Sequence, residues 1–383
     1  MKTLGIGMLG YGFMGKVHTF AHKAIPFYYS PAPAVCRLRV VCTSAAATAQ
    51  AAQAHGGYER WTTDFREVVD APDVDVIHVC TPNDRHFPAL AAALRAGKHI
   101  YVDKPVTATL EEADALAALL AGYKGVAQVV CQNRFFPATL RARQLVEQGF
   151  LGPITHFRGA HLHSGSVDPA KPANWKATAA AGGGVIHDLA VHPLDMLYWL
   201  AGPFTAVHCV SRIWAARRES AEKPGTEVVI DAEDAAVLLL RQKDGAFGIV
   251  EASKIATGIE DELRFEIHGR HGALRFNLKQ PGFLEIYDGR LPAGHLGGSR
   301  GWQQLATLHR YPSPGGKFPD ARASVGWIQG HVHCLYSFLK CVADGTPATP
   351  SLADGIYLQR VLEAARRSAE TGAWVELQAP AQA

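Results

Sequence analysis

Apolar residues follow two rhythms along this chain. Up to about residue 130, short, mainly apolar runs at 4–9, 38–42, 74–80, 99–102 and 126–131 alternate with stretches whose apolar positions recur every three or four residues, as Val17, Phe20, Ala21 and Ala24 do. Mainly apolar runs of that length predict strands buried on both faces, and three–four spacing predicts helices. Helices are expected after the first strand, in the alanine- and glutamine-rich stretch after the second, near 64–69, over 88–96 with Gly97 as the stop, and over 110–122. Strand and helix alternate, which gives an α/β domain: a doubly wound parallel sheet that receives ligands at the C-terminal ends of its strands. The aromatic, proline-rich stretch 26–33 reads as a loop, since proline does not continue a helix.

From about residue 150 the pattern changes to longer strands joined by hairpin turns. Strands are expected at 154–163, 206–213, 235–241, 246–251, 263–268, 273–276 and 284–287, with turns at Asp244-Gly245 and 269–272. This is an α+β domain with a large, mainly antiparallel open sheet. One helix, 185–200, interrupts it and is opened by Gly182-Gly183-Gly184. Residues 290–325, rich in glycine, proline and serine, read as a long loop, either a lid, an interface arm or plain disorder. Helices at 331–343 and 352–371 close the chain. The expected domains are 1–130 for nucleotide, 131–350 for substrate and oligomerisation, and 351–383 as a C-terminal helix and tail packing back near the first domain.

Composition narrows the partners. The 38 basic and 35 acidic residues leave a formal net charge of +3 with no long basic run, so small molecules or further copies of the chain are expected rather than nucleic acid. Seven scattered cysteines, mostly inside apolar runs, read as buried thiols of a reducing compartment, not as a disulfide framework. No apolar run is long enough to span a bilayer, and the chain opens on a core strand rather than a leader; no membrane and a cytoplasmic location are expected.

Gly10-Tyr11-Gly12-Phe13-Met14-Gly15 ends the first strand and opens the first helix. In that setting Gly10 makes the tight turn, Gly12 lets a diphosphate approach, and Gly15 lets helix pack on strand, with bare N–H groups facing the pyrophosphate. The domain is therefore read as a Rossmann dinucleotide site. Strand 99–102 delivers Asp103-Lys104-Pro105 to the sheet edge where the nicotinamide of such a cofactor lies. From the residues alone, Lys104 is either a group that stabilises alkoxide charge on a substrate or a surface lysine in a turn. Asp188 and His192, four apart in a helical pattern, share one face: a base with its carboxylate, or a helix-surface pair. His187 points elsewhere and is the weaker candidate. His161-x-His163 and His331-x-His333 come without a cysteine knuckle or a glutamate-bearing His-x3-His, so no metal is expected.

Together these motifs resemble the Gfo/Idh/MocA oxidoreductases, the family of glucose-fructose oxidoreductase and inositol dehydrogenase, over nearly the whole length. The carriers are Gly10 to Gly15, Thr81-Pro82-Asn83 with His86, Asp103-Lys104-Pro105, Asn133-Arg134-Phe135, Asn174-Trp175-Lys176, and Gly182 through Asp188 to His192. Within the family the chain is most similar to the sugar and polyol dehydrogenases, through Gly12-Phe13-Met14-Gly15-Lys16, Pro31-Ala32-Pro33-Ala34 and Phe265-Glu266-Ile267-His268-Gly269. The resemblance implies NAD(P)-dependent hydride transfer from a ring hydroxyl carbon, with Lys104 on the reacting hydroxyl, His192 as general base and Asp188 holding sugar and base in register. Arg134 and His163 join these three as substrate contacts. Implied cofactor contacts are Gly10, Gly12, Phe13, Met14, Gly15, Thr43, Ser44, Thr81, Pro82, Asn83, His86, Asp103, Lys104, Asn133 and Trp175. A cis bond before Pro105 and a homodimer or homotetramer through the second-domain sheet are implied as well.

Two departures bear on the cofactor. Asp103 stands where the family has glutamate, one methylene longer. The second strand ends in Cys42-Thr43-Ser44, without the acid that binds a ribose 2′-hydroxyl or the arginine that suits a 2′-phosphate. NAD is expected because no guanidinium follows Ser44, with NADP as the alternative. Two other readings compete: a catalytically silent nucleotide- and sugar-binding regulator, and a reductase of a non-sugar carbonyl, which calls for a hydrophobic pocket around His192.

Overall fold

The computed structural model describes residues 2–380. Of these, residues 2–135 form one unit with Tyr311–Ala321 and Ile328–Gln359; Phe136–Arg310, Arg322–Trp327 and residues 360–380 form the other.

The first unit runs β1 (Thr3–Leu9), α1 (Phe13–Tyr28), β2 (Val35–Cys42), α2 (Ala46–Gly56), β3 (Arg60–Thr62), α3 (Phe65–Val69), β4 (Val76–Val79), α4 (His86–Arg95), β5 (His99–Asp103), α5 (Leu110–Leu120) and β6 (Ala127–Val130). These strands are all parallel, in the order β3-β2-β1-β4-β5-β6. The winding reverses between β1 and β4, which sets the ligand crevice at their C-terminal ends. Leu4, Ile6, Met8, Ile77, Val79, Ile100 and Val102 are buried without remainder, as a sheet covered on both faces requires. Of these helices α3 and α5 start at side chains that cap them: Asp64 accepts the N–H of Arg66, and Thr109 that of Glu112. The loop expected at 26–33 is wrong at its start, because α1 continues through Pro26 to Tyr28. Proline there forfeits a bond to the His22 carbonyl. Burial of Ile25 and Tyr29 compensates: the Tyr29 N–H donates to Ile25 O at 2.9 Å and its ring stacks on Tyr336, centroids 3.7 Å apart.

The second unit opens with α6 (Pro137–Glu147), a helix that the apolar pattern did not announce because its buried positions are mainly alanine, threonine and proline. It continues with β7 (Ile154–Leu162), α7 (Val191–Ala201), β8 (Phe204–Arg212), β9 (Arg217–Glu219), β10 (Glu227–Val229), β11 (Ala235–Gln242), β12 (Phe247–Ser253), β13 (Glu262–Gly269), β14 (Gly272–Asn277), β15 (Phe283–Asp288) and β16 (Trp302–Ala306). The chain ends with α8 (Trp327–Asp344), α9 (Leu352–Thr371) and β17 (Val375–Glu376). Among the described residues the large sheet has nine strands in the order β16-β15-β14-β13-β7-β12-β11-β8-β17. β7 and β12 are parallel and the other neighbours antiparallel. One strand interrupts the expected loop 290–325: β16 pairs with β15 at the sheet edge, its residues exposed or half-buried, with the Arg275 guanidinium 4.2 Å above the Trp302 ring.

Alternation sorts the sheet into two faces. Ala236, Leu238 and Leu240 of β11 are buried, while Val237 and Leu239 are exposed. α7 lies on the buried face, so close at Gly159 of β7 that a Cβ there would stand 2.8 Å from Pro193. All seven cysteines are free thiols. Among the described residues no helix is long and apolar enough to cross a membrane.

Candidate active site

In the first unit the glycine turn is built as its sequence requires. Gly10 has φ +88°, and a Cβ on it would meet Cys80 O at 2.5 Å. One on Gly15 would meet Gly10 O at 2.3 Å, whereas one on Gly12 would meet nothing within 4 Å. The first and third glycines let protein touch protein; the second borders open space. α1 begins there with no side-chain cap and no acid in its first turn, so its N–H groups and the positive end of its dipole suit an anion. Phe13 beside it is 70% exposed, and Met14 is half-buried. At the end of β2, Thr43 Oγ1 bonds Thr48 Oγ1 and the Ala45 carbonyl, and Ser44 is exposed.

Asp103 and Lys104 leave β5 half-buried, and the Lys104–Pro105 peptide is cis. Among the expected nicotinamide contacts, Thr81 is half-buried, Pro82 exposed and Asn83 buried. His86 departs from that expectation. It is wholly buried, with Nε2 2.9 Å from Thr81 O and Nδ1 3.0 Å from Pro105 O. Each ring nitrogen faces a main-chain carbonyl, and the one that carries the proton of the neutral ring donates to its carbonyl, so His86 braces the Thr81 and Lys104–Pro105 turns rather than facing a ligand. Asn133 and Arg134 are buried in a short 3₁₀ turn.

In the second unit the helix expected over 185–200 divides. Ile186–Ala190 is a π-helical turn, with the one-residue-wider hydrogen-bonded ring, and α7 follows. Pro193 has no N–H to offer the Leu189 carbonyl, and the wider turn lies just before that gap. The start of this helix is held by Glu233, whose carboxylate accepts the Ile186 N–H at 2.7 Å; burial pushes the Glu233 pKa up. Glycine is needed at 183 and 184, where a Cβ would press on Lys176 O at 2.4 Å and on the Glu233 carboxylate at 2.4 Å. That close fit folds the Asn174-Trp175-Lys176 turn, capped by Asn174, against the helix start.

The result is a cluster of charges around Asp188. Lys176 Nζ lies 3.0 and 3.1 Å from its two oxygens, and Lys254 Nζ 3.5 Å from Oδ2. The Lys176 ammonium also sits 5.6 Å above the half-buried Trp175 ring. His192 is buried and packs edge to face on His161, centroids 5.1 Å apart; His161 Nε2 in turn donates to Asp261 Oδ1 at 2.9 Å. His163 is half-buried, and burial, then the Lys254 charge, lower its pKa to about 4. Its Nδ1 accepts the Gly165 N–H, which places the proton of the neutral ring on Nε2. His187, the weaker candidate, is committed elsewhere: buried, it meets Glu363 Oε1 at 2.9 Å. Sequence reasoning missed Lys254, Glu233 and Asp261, and gave Lys176 no task. A signal existed for Lys254, which continues the inward row Gly248, Val250, Ala252 of β12, where lysine is out of place.

Residues 4–130 match the oxidoreductase family with an NAD-binding Rossmann fold, and residues 139–275 match the GFO/IDH/MocA C-terminal domain. Levoglucosan dehydrogenase of Pseudarthrobacter phenanthrenivorans is 32% identical, with 98% of this chain and 99% of that protein covered. Inositol 2-dehydrogenase of Rhizobium meliloti is 26% identical, with 96% and 97% covered. A solved levoglucosan dehydrogenase in complex with NADH and L-sorbose superposes with a TM-score of 0.93 at 33% identity, covering 99% of this chain and 100% of that one. With two family models matched over more than half of the chain and a relative that covers 98% of it, the chain belongs to the Gfo/Idh/MocA oxidoreductase family.

Proposed function

We propose that this oxidoreductase is an NAD-dependent dehydrogenase of a sugar or polyol, oxidising a ring hydroxyl carbon. A dinucleotide fits the first unit because Gly12 borders open space at an uncapped helix start. Gly10 to Gly15 would hold its pyrophosphate, Thr43 and Ser44 its adenosine end, and Thr81, Pro82, Asn83, Asp103, Lys104, Asn133 and Trp175 its remainder. The nicotinamide, when bound, supplies the hydride acceptor. NAD is preferred over NADP because exposed Ser44 brings no positive charge to a 2′-phosphate. On the substrate side, His192 takes the hydroxyl proton and Asp188 orients the hydroxyl and the base. Lys104 steadies the developing alkoxide. His163, neutral with Nε2–H outward of its Gly165 bond, donates to a sugar oxygen. Arg134 supplies a further substrate contact.

The observation that carries this reading is the polar company of Asp188 and His192: two ammonium groups, two further imidazoles and Asp261. Such surroundings suit a polyhydroxyl compound and argue against the hydrophobic pocket that a non-sugar carbonyl reductase calls for. A panel of myo-inositol, glucose, galactose, xylose and levoglucosan, each with NAD and with NADP, tests it through absorbance of the reduced cofactor. Reduction with NAD and at least one compound is expected; silence across the panel with nucleotide still bound would favour the regulator.

The chain is further proposed to act in the cytoplasm, where seven free thiols are at home, and as a homodimer or homotetramer through its large sheet. Val210, Val237, Leu239, Phe247 and Ile249 are exposed on neighbouring strands, an apolar surface that suits a second copy.

A further inference from the structure

Lys254 is placed at unusual cost. Its main chain is pinned where β12 ends, with the N–H donating to Asp234 O at 2.8 Å, and the residue is only 8% exposed. Burying an ammonium costs several kcal/mol unless it is well paired. Among the described residues its one ionic contact is the 3.5 Å approach to Asp188, whose two oxygens are both already engaged, at shorter distance, by Lys176. Among the described residues the Lys254 ammonium donates no hydrogen bond at all. Three N–H donors are thus held beside a carboxylate oxygen with no protein acceptor of their own. A hydroxyl group complements that pair, because one oxygen can donate its proton to Asp188 and accept from Lys254.

The reacting hydroxyl is not the one received there, since its proton goes to His192. We propose that Lys254 is a specificity-determining residue: its ammonium, with the Asp188 carboxylate, binds a second substrate hydroxyl, on a carbon next to the one oxidised. The preferred substrates are then vicinal diols, and the position of the second hydroxyl is read as strictly as that of the first. This rests on the dehydrogenase reading above. Lys176 pairs with Asp188 from the more exposed side, and His163 Nε2–H serves a different oxygen.

The experiment compares levoglucosan and glucose with their singly deoxygenated 2-, 3- and 4-deoxy analogues in the wild type, Lys254→Met, Lys254→Gln and Lys254→Arg. In the wild type, the analogue that keeps the reacting hydroxyl but lacks its neighbour loses about 10²-fold in kcat/KM, the scale for leaving buried polar groups unpaired. Lys254→Met loses a similar factor on the parent sugar, chiefly through KM, and discriminates the two by less than about threefold, while Lys254→Arg recovers part of the difference. Lys254→Met also keeps or raises the melting temperature, because it removes a buried charge. Discrimination as strong in Lys254→Met and Lys254→Gln as in the wild type overturns the proposal, as does a loss confined to kcat and equal for every substrate. If Lys254→Met does not fold, Lys254→Gln decides by the same ratio. If the wild type neither oxidises nor is thermally stabilised by any of these sugars in the presence of NAD, the dehydrogenase reading falls and this inference falls with it.

Discussion

In the first unit His18, His22 and His78 stand in a buried row, Nε2 of His22 2.9 Å from Nε2 of His78, and Nδ1 of His78 3.2 Å from Nδ1 of His18, with the Tyr101 ring against two of them. In the second unit the buried imidazoles of His187 and His161 each face a carboxylate, and Asp188 faces two ammonium groups. Imidazoles packed on imidazoles are stable only while neutral. Burial pushes His18 and His78 well below their ordinary range and takes His22 and His331 down to about 3. Charge is tolerated only in the second arrangement, where each sign has its counterpart close by. A site that moves a proton needs the second kind of burial; a nucleotide scaffold can use the first.

The comparison breaks most decisively at His192. Replacing it with asparagine should lower kcat by about 10³-fold, within the range for loss of a positioned general base, while NAD binding is unchanged. Equal turnover would remove the paired cluster from the chemistry. Lys104→Ala should cost about 10²-fold by the same assay.

Next in size is acid stability. Unfolded, these four buried histidines, His18, His22, His78 and His331, bind protons near pH 6.5; folded, they stay neutral well below that, to about pH 3 in the case of His22 and His331. The unfolded state therefore holds more protons between those limits. Stability is fully present above pH 6.5 and falls as pH drops toward 3, by at most about 1.4 kcal/mol per pH unit for each histidine. Urea unfolding at pH 7, 6 and 5 measures the slope, and His22→Leu should reduce it. A flat profile in the wild type would mean that the row is not the acid-labile element.

Smaller again is Glu363→Gln, which leaves His187 facing an amide instead of a carboxylate; a loss of about 1–3 kcal/mol is expected in the same titration at pH 7. The smallest effect is reserved for Ser44→Asp. Repulsion of a 2′-phosphate should weaken NADP by about tenfold and change NAD by less than about threefold. An unaltered ratio would place recognition of the adenosine end elsewhere.

The glycine turn was legible because each of its three positions answers to a local demand, a tight turn, open space and close packing, that only glycine meets. Asp188 and His192 were legible as residue types at a spacing, but their helix was read as uniform when its first turn is π. The loop at 26–33 was misjudged because Pro26 carries a local penalty that distant Tyr336 offsets. β16 escaped notice because an edge strand with no buried face has no apolar alternation to display.

By itself, then, the sequence determined the alternation of strands and helices, the two-faced strands of the second half, and the chemical identity of the groups available for catalysis. Those are properties of single positions and their near neighbours, where burial and backbone conformation restrict which residue can stand. Only the tertiary structure decided which groups act on one another. His86 became a brace because two turns present carbonyls to it, and Lys254 reached Asp188 because the end of β12 passes beside a helix 66 positions earlier. Electrostatic and hydrogen-bond energies depend on separations of a few ångströms, and those separations come from strand register and helix packing, which no local pattern records.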